Sequence, residues 1–197
     1  MSEKSLIPED AHVQYVADRK ASRKYAFKAL AGAPGPKPEE RPGGKPEGSY
    51  AWDGVKIERY KPEGDGWSGI IRQVIVGYRE QTAFHVRYFE IAPGGNSSLE
   101  KHVHSHAIIG VRGEGKVIAG PDCYDLRFLD TVYVSPDTPH QLVNAGDQPF
   151  GFICIVDAER DRPRPVDPDE LEAILESPRT RDIARPGKLN LEKAEGV

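Results

Sequence analysis

The sequence predicts an all-β domain, an antiparallel barrel or sandwich, and three observations carry that prediction. Short runs rich in β-branched and aromatic residues recur between residues 67 and 156. Breakers such as Pro93-Gly94-Gly95, Gly113-Glu114-Gly115, Gly120-Pro121-Asp122, Pro136-Asp137-Thr138-Pro139 and Ala145-Gly146-Asp147 separate the runs at short intervals. Finally, with 38% hydrophobic and 29% charged residues in 197, the chain holds one compact domain with solvated extensions.

The amino-terminal stretch, residues 7–30, reads as a helix. Pro8 suits a first turn, Glu9 and Asp10 suit the positive helix end, and Val13, Val16, Tyr25 and Phe27 supply an irregular apolar stripe. From Pro34 to Gly48 five prolines and four glycines in fifteen residues exclude helix and strand, which makes this a linker or mobile arm. Strands are then expected at Trp67 to Tyr78, Ala83 to Ile91, Ala107 to Val111, Gly115 to Ala119, Cys123 to Phe128, Thr131 to Val134, His140 to Asn144 and Phe150 to Val156. Asp167-Pro168-Asp169-Glu170 opens a capped helix with Leu171, Ile174 and Leu175 as its buried stripe, and Ser177-Pro178 stops it. The division is an extension over 1–48, the barrel over 49–165, and a helix with a charged tail over 166–197.

Composition narrows the function classes. A net charge of −4 offers no global basic field for nucleic acid or an anionic membrane. No apolar run is long enough to span a bilayer, and the polar start Met1-Ser2-Glu3-Lys4-Ser5 lacks the apolar core of a secretion signal. Two cysteines, Cys123 and Cys154, are too few for a disulfide framework and fit a reducing cytoplasm. The expected partner is therefore a small molecule.

Chemistry concentrates in Glu100-Lys101-His102-Val103-His104-Ser105-His106, which holds three of the six histidines; His140 follows downstream. Residues two apart on a strand share a face, so Glu100, His102, His104 and His106 can converge on one point. Neutral imidazole is the commonest protein metal ligand. The alternative is a solvated polar edge with a chance cluster of histidines.

Placed on the strand pattern, these histidines resemble the cupin family, whose first motif is Gly, five residues, H-x-H, three or four residues, Glu, six residues, Gly. Counting from Gly94 and back from Gly113 gives one ungapped register: Glu100 at the first His, His102 at the second, His106 in place of the Glu. In the rival register His102 and His104 form the H-x-H, but Ile108 then falls where the acid belongs. The first is preferred, since a slipped strand inverts every side chain. The second motif supplies His140 with Asn144 four positions on; Leu129 and Asp137 stand where the family has Gly, and Ser135 where it has Pro. The resemblance covers residues 87–156. It implies a jelly-roll cupin barrel, commonly paired as a homodimer.

What the resemblance implies chemically is a divalent transition metal (Fe, Mn, Ni, Co, Zn or Cu rather than Ca) held by His102, His106 and His140, with Glu100 or His104 as the fourth ligand. Open coordination positions imply catalysis. Oxygenase chemistry on a small polar metabolite is placed ahead of lyase or isomerase chemistry. A non-catalytic small-molecule-binding cupin is a third reading, and an interaction module acting through the Pro-rich arm a weaker fourth. A narrower likeness rests on S-L-E-K-H-V-H-S-H with F-I-C-I-V-D-A-E-R-D-R-P. It resembles single-domain bacterial cupins that include the methylthioxylulose phosphate methylsulfurylases, manganese enzymes that use a thiol. Among supporting residues, Asn144 is expected either to fix backbone or outer-shell hydrogen bonds near His140 or to serve as a simple turn Asn, and Gln141 and Tyr88 are candidates for the cavity. Arg87 shares a strand face with His85 and reads best as a surface ion pair, with anion binding as its other role. Cys154 reads as a buried small hydrophobe, Cys123 as a thiol without a nearby cation, and Asp157 to Pro163 as ion pairs pinning the barrel's end.

Overall fold

The computed structural model describes residues 23–25, 50–52, 54–61 and 65–195. Its strands are β1 (Arg23–Tyr25), β2 (Glu58–Arg59), β3 (Ser68–Val76), β4 (Phe84–Asn96), β5 (His106–Arg112), β6 (Gly115–Ala119), β7 (Asp122–Leu126), β8 (Thr131–Val134), β9 (His140–Val143) and β10 (Phe150–Asp157). Two helices follow, α1 (Pro168–Glu176) and α2 (Lys188–Glu195). The pairings are antiparallel, in the order β1-β8-β5-β10-β4-β9-β6-β7 with β3 on β4 and β2 on β3. They form a nearly closed barrel.

β4 is the longest strand of the barrel. Up to Ile91 it pairs with β3 and β10, and at Asn96 it pairs with Ser68 of β3 and Val143 of β9. Pro93-Gly94-Gly95 was expected to end the strand; instead Gly94, at φ 75°, lets the chain bend and carry β4 on to its contact with β9. Burial alternates along β5, where His106, Ile108, Gly110 and Arg112 lie inward, as strand periodicity requires. Phe89, Ile91, Ile108, Val117, Leu126, Val132, Phe150 and Phe152 form the main core of the barrel. Phe89 stacks on Phe152 with ring centroids 5.4 Å apart.

The motif turns keep left-handed backbone even where glycine is missing. Gly113 has φ 56°, and a Cβ there would lie 2.3 Å from the Pro149 carbonyl oxygen. Leu129 and Asp137, at the two positions where the second motif has Gly, take φ 63° and 59°. The turn geometry persists although its usual residue does not.

At the edges the expectations meet the structure only in part. The helix over 7–30, the linker over 34–48 and the 1–48 extension lie outside the described residues except at Arg23–Tyr25, which is strand. Those three residues pair antiparallel with Thr131–Tyr133 of β8, and that pairing overrides a weak helical pattern. In α1, Leu171 and Ile174 are buried but Leu175 is 37% exposed, because it lies round the helix from the packed face. The tail also holds an unexpected helix, α2, fixed less by apolar periodicity than by Asn190: its Oδ1 accepts from Val166 N (2.8 Å) and its Nδ2 donates to the Leu99 carbonyl (2.9 Å).

Candidate metal centre

One end of the barrel holds a cavity of about 210 Å³ whose wall includes all four histidines of the two motifs. His106 opens β5 and His140 opens β9, while His102 and His104 sit in the turn that precedes β5. Glu100 pairs with His140 as an isolated bridge, Glu100 N donating to His140 O (3.2 Å) and His140 N to Glu100 O (2.9 Å). That bridge draws the first motif onto the second. The ligand atoms of His102, His106 and His140 lie within 4.8 Å of one another, and all three side chains are buried.

Hydrogen bonds fix the imidazole tautomers. His102 Nδ1 is 2.9 Å from the His104 carbonyl, and His140 Nδ1 is 2.9 Å from the Thr138 carbonyl. A carbonyl only accepts, so each Nδ1 carries the proton and each Nε2 presents a lone pair. Burial pulls His102 down to about 3, holds His106 well below the ordinary imidazole value, and lowers His140 as well. All three are therefore neutral near pH 7. His102 Nε2 and His106 Nε2 approach to 2.9 Å. A proton on His106 Nε2 would make this a hydrogen bond, and without that proton the same two nitrogens, with His140 Nε2, would be placed to hold one ion. The donor set fits a transition metal.

Glu100 and His104 line the cavity but are not part of that group. The Glu100 carboxylate accepts from Ser98 Oγ at 2.5 Å and pairs closely with Lys61 Nζ. His104 stacks on His102, with ring centroids 3.6 Å apart and planes 4° from parallel, and its Nδ1 lies 2.7 Å from Asp161 Oδ1. Burial lowers His104 too, which makes this contact a hydrogen bond to a neutral ring. Asp161 also accepts the Val103 N–H at 2.9 Å. Against burial, these N–H bonds hold its carboxyl at about 2.

The rest of the wall departs from the sequence reading. Cys154 is buried as expected, yet it is not inert packing: its Sγ lies 3.0 Å from His106 Nδ1 and accepts from Arg87 Nη2 at 3.2 Å. Arg87 is no surface ion pair, since among the described residues no carboxylate pairs with it; its guanidinium lies over Phe89 and lines the cavity. Tyr88 donates to Glu90 (2.6 Å), and Gln141 ties Ser97 to Arg185. Neither lines the cavity. Asn144 holds the Ile91 and Gln148 carbonyls and so fixes a turn, with no bond to His140. The Asp157–Pro163 segment does pin the barrel end, through Arg160 on His85 Nδ1 (3.0 Å) as well as Asp161, but it also closes one side of the cavity. A cysteine flanked by isoleucines gave no sequence signal; only the direct pairing Cys154↔Arg87 across β10 and β4 brings thiol and cation together.

Fold and site thus define a small antiparallel barrel with a buried, neutral imidazole group at one end. The Cupin domain family model matches residues 87–156. The 1-methylthio-D-xylulose 5-phosphate methylsulfurylase of Rhodospirillum rubrum is 35% identical over 127 residues, 64% of this chain and 81% of that protein. A crystal structure of a cupin-2 domain protein from Rhodospirillum rubrum matches with TM-score 0.61 and 32% identity, covering 68% of this chain and 90% of that one. A cupin 2 domain-containing protein from Halorhodospira halophila matches with TM-score 0.61 and 34% identity, covering 84% and 97%. The chain belongs to the cupin superfamily. No helix among the described residues is long and apolar enough to cross a membrane.

Proposed function

We propose that this cupin is a mononuclear metal enzyme that cleaves a carbon–sulfur bond beside a carbonyl in a small sugar phosphate, with Cys154 as the reacting thiol. The observation that carries the reading is the placement of Cys154 Sγ, 3.0 Å from His106 Nδ1 and 3.2 Å from Arg87 Nη2. An arginine donating to sulfur is the kind of neighbour found beside reactive cysteines. The Rhodospirillum rubrum relative, named a methylsulfurylase for a methylthio-ketose phosphate, supports the same chemistry. Sequence alone placed oxygenase chemistry first; the thiol in the wall reverses that order.

In this reading His102, His106 and His140 would hold the metal, with Glu100, now paired with Lys61, as the fourth ligand. The metal, when bound, polarises the substrate carbonyl. Its identity among Mn, Fe, Ni, Zn and Cu is read by elemental analysis. Cys154 Sγ attacks the thioether sulfur; an S–S bond forms, the C–S bond breaks, and its electron pair passes to the carbonyl carbon's neighbour as an enolate that a proton from solvent quenches. Exchange with an external thiol then removes the alkylthio group as a mixed disulfide and restores Cys154. A reducing compartment suits that cycle, and pairing of two barrels through their sheets is tested by sedimentation.

The test is turnover of 1-methylthioxylulose 5-phosphate with external thiol under argon. Cys154→Ser should lose at least about a thousandfold in kcat while keeping wild-type metal content. Oxygen uptake matching turnover, or a Cys154→Ser variant as active as wild type, would return the oxygenase reading to first place.

A further inference from the structure

The cavity wall carries more positive charge than its own side chains neutralise. Its cations are Lys61, Arg72, Arg87 and Arg160, and its carboxylates are Glu100 and Asp161. Lys61 pairs with Glu100, and Arg160 is spent on His85 Nδ1 and the Asp157 carbonyl. Arg72 meets Glu58 through Nη2 at 2.8 Å, which leaves its Nε buried with no partner. Arg87 gives Nη2 to the Cys154 sulfur, and its Nε is also buried and unpartnered. Neutral imidazoles add no negative charge, so a divalent ion among them would increase the excess. Burying uncompensated charge is costly unless a ligand supplies the counter-charge.

Strand register sets these two arginines side by side. Arg72 pairs with Phe89 and Val74 with Arg87, and Arg87 and Phe89 are two apart on β4. Arg72 and Arg87 are therefore diagonal neighbours on one face, within reach of a common group. Guanidinium forks match phosphate oxygens bidentately, and two forks offer more donors than a carboxylate has oxygens to fill.

We propose that Arg72 and Arg87 form a clamp for the phosphate monoester of the substrate, on the wall adjoining the imidazoles. The assignment rests on the sugar-phosphate reading above and names the residues that would enforce it. Glu58 is the clamp's internal competitor: it holds one edge of Arg72 that a phosphate would otherwise take.

Isothermal titration of the metal-loaded protein tests it, with inorganic phosphate and xylulose 5-phosphate set against acetate and unphosphorylated xylulose. The phosphate compounds should bind at least about tenfold more tightly than their counterparts, and Arg72→Gln and Arg87→Gln should each remove about that advantage. Glu58→Gln should tighten phosphate binding several-fold, a gain that misfolding cannot imitate. Lys116→Gln, which alters a distant surface pair with Asp125, should change nothing. Repeating the titration after chelation, with the fold checked by circular dichroism, should leave phosphate binding in place. Binding that vanishes with the metal puts the phosphate on the ion and overturns the clamp. So does unchanged affinity in well-folded Arg72→Gln and Glu58→Gln variants, or acetate binding as tightly as phosphate. Phosphate bound through these arginines without carbon–sulfur cleavage would keep the clamp and sink the proposed reaction; cleavage with no effect of the arginine variants would do the reverse.

Discussion

The imidazole wall is presented from strand ends and turns, whereas the wall adjoining it is presented from the middle of β3, β4 and β10. His106 and His140 each open a strand, and His102 lies in the turn before β5. Arg72, Arg87 and Cys154 each stand inside a long, mostly apolar strand. The difference has a physical reason. Turns can be anchored by backbone bonds, as Glu100 and His140 anchor each other, and so can aim short rigid rings at one point. Mid-strand side chains inherit their direction from the pleat, so only long flexible groups, or a small sulfur beside one, can share a site there.

Removing one ring from the first wall should give the largest effect. His140→Ala deletes a buried imidazole common to both motif registers, and metal affinity should fall by more than the roughly 10–100-fold that outer-shell changes cost. The barrel should stay folded, because its core lies between Phe89, Ile108, Val132 and Phe152 rather than at the ion. Elemental analysis beside thermal melting checks both halves. A variant that keeps full metal removes His140 from the site, and one that loses metal and unfolds makes the ion structural and undercuts the contrast between the walls.

The same contrast explains what the sequence revealed. The imidazoles were legible because turn geometry leaves a spaced motif, and the ungapped register from Gly94 to Gly113 places His106 inward as found. The strands were legible because breakers and β-branched runs alternate. Cys154 and Arg87 were not, since one thiol and one cation sixty-seven positions apart become neighbours only through the β4–β10 register. Nor was β1, which is set by its pairing with β8 rather than by a pattern in its own three residues. The tie between Glu100 and Lys61 was hidden for the same reason: Lys61 precedes the strand run and reaches the site only in the fold.

Acidification should act on the first wall. His102 is held at about 3 in the folded chain, mainly by burial, against an ordinary 6.5. Between those values the unfolded chain takes up a proton that the folded chain refuses. The stabilisation is therefore complete above about pH 6.5 and is lost as pH falls towards 3; below 3 both states are protonated and the loss levels off. A neutral buried imidazole contributes at most about 1.4 kcal/mol per pH unit across that window. His106 and His140 are lowered in the same direction and add to it. Melting of the metal-free protein at pH 7.5 and pH 5 should show the drop, and His102→Gln should make it shallower. A flat profile in the wild type would mean that the rings are already solvated, and the buried, neutral wall would not exist as described.

The smallest expected effect asks whether geometry or residue identity builds the turn-borne wall. Leu129 holds φ 63° where the family motif has glycine, and its N–H donates to the Gly110 carbonyl at 2.7 Å in the connection that leads into β8. A left-handed leucine costs about 1–2 kcal/mol of backbone strain. Leu129→Gly relieves that strain but surrenders some apolar contact, limited because the side chain is 37% exposed, and gives the unfolded chain extra freedom. The balance should be a gain of about 0.5–1 kcal/mol, read as a rise of roughly 1–4 °C in Tm. Metal content should not change, because the backbone path that carries Val134 to His106 and on to His140 is already the one glycine would choose. A lower Tm would show that leucine's contacts, not the inherited turn, hold this corner. The legibility of the imidazole wall would then rest on its histidines alone.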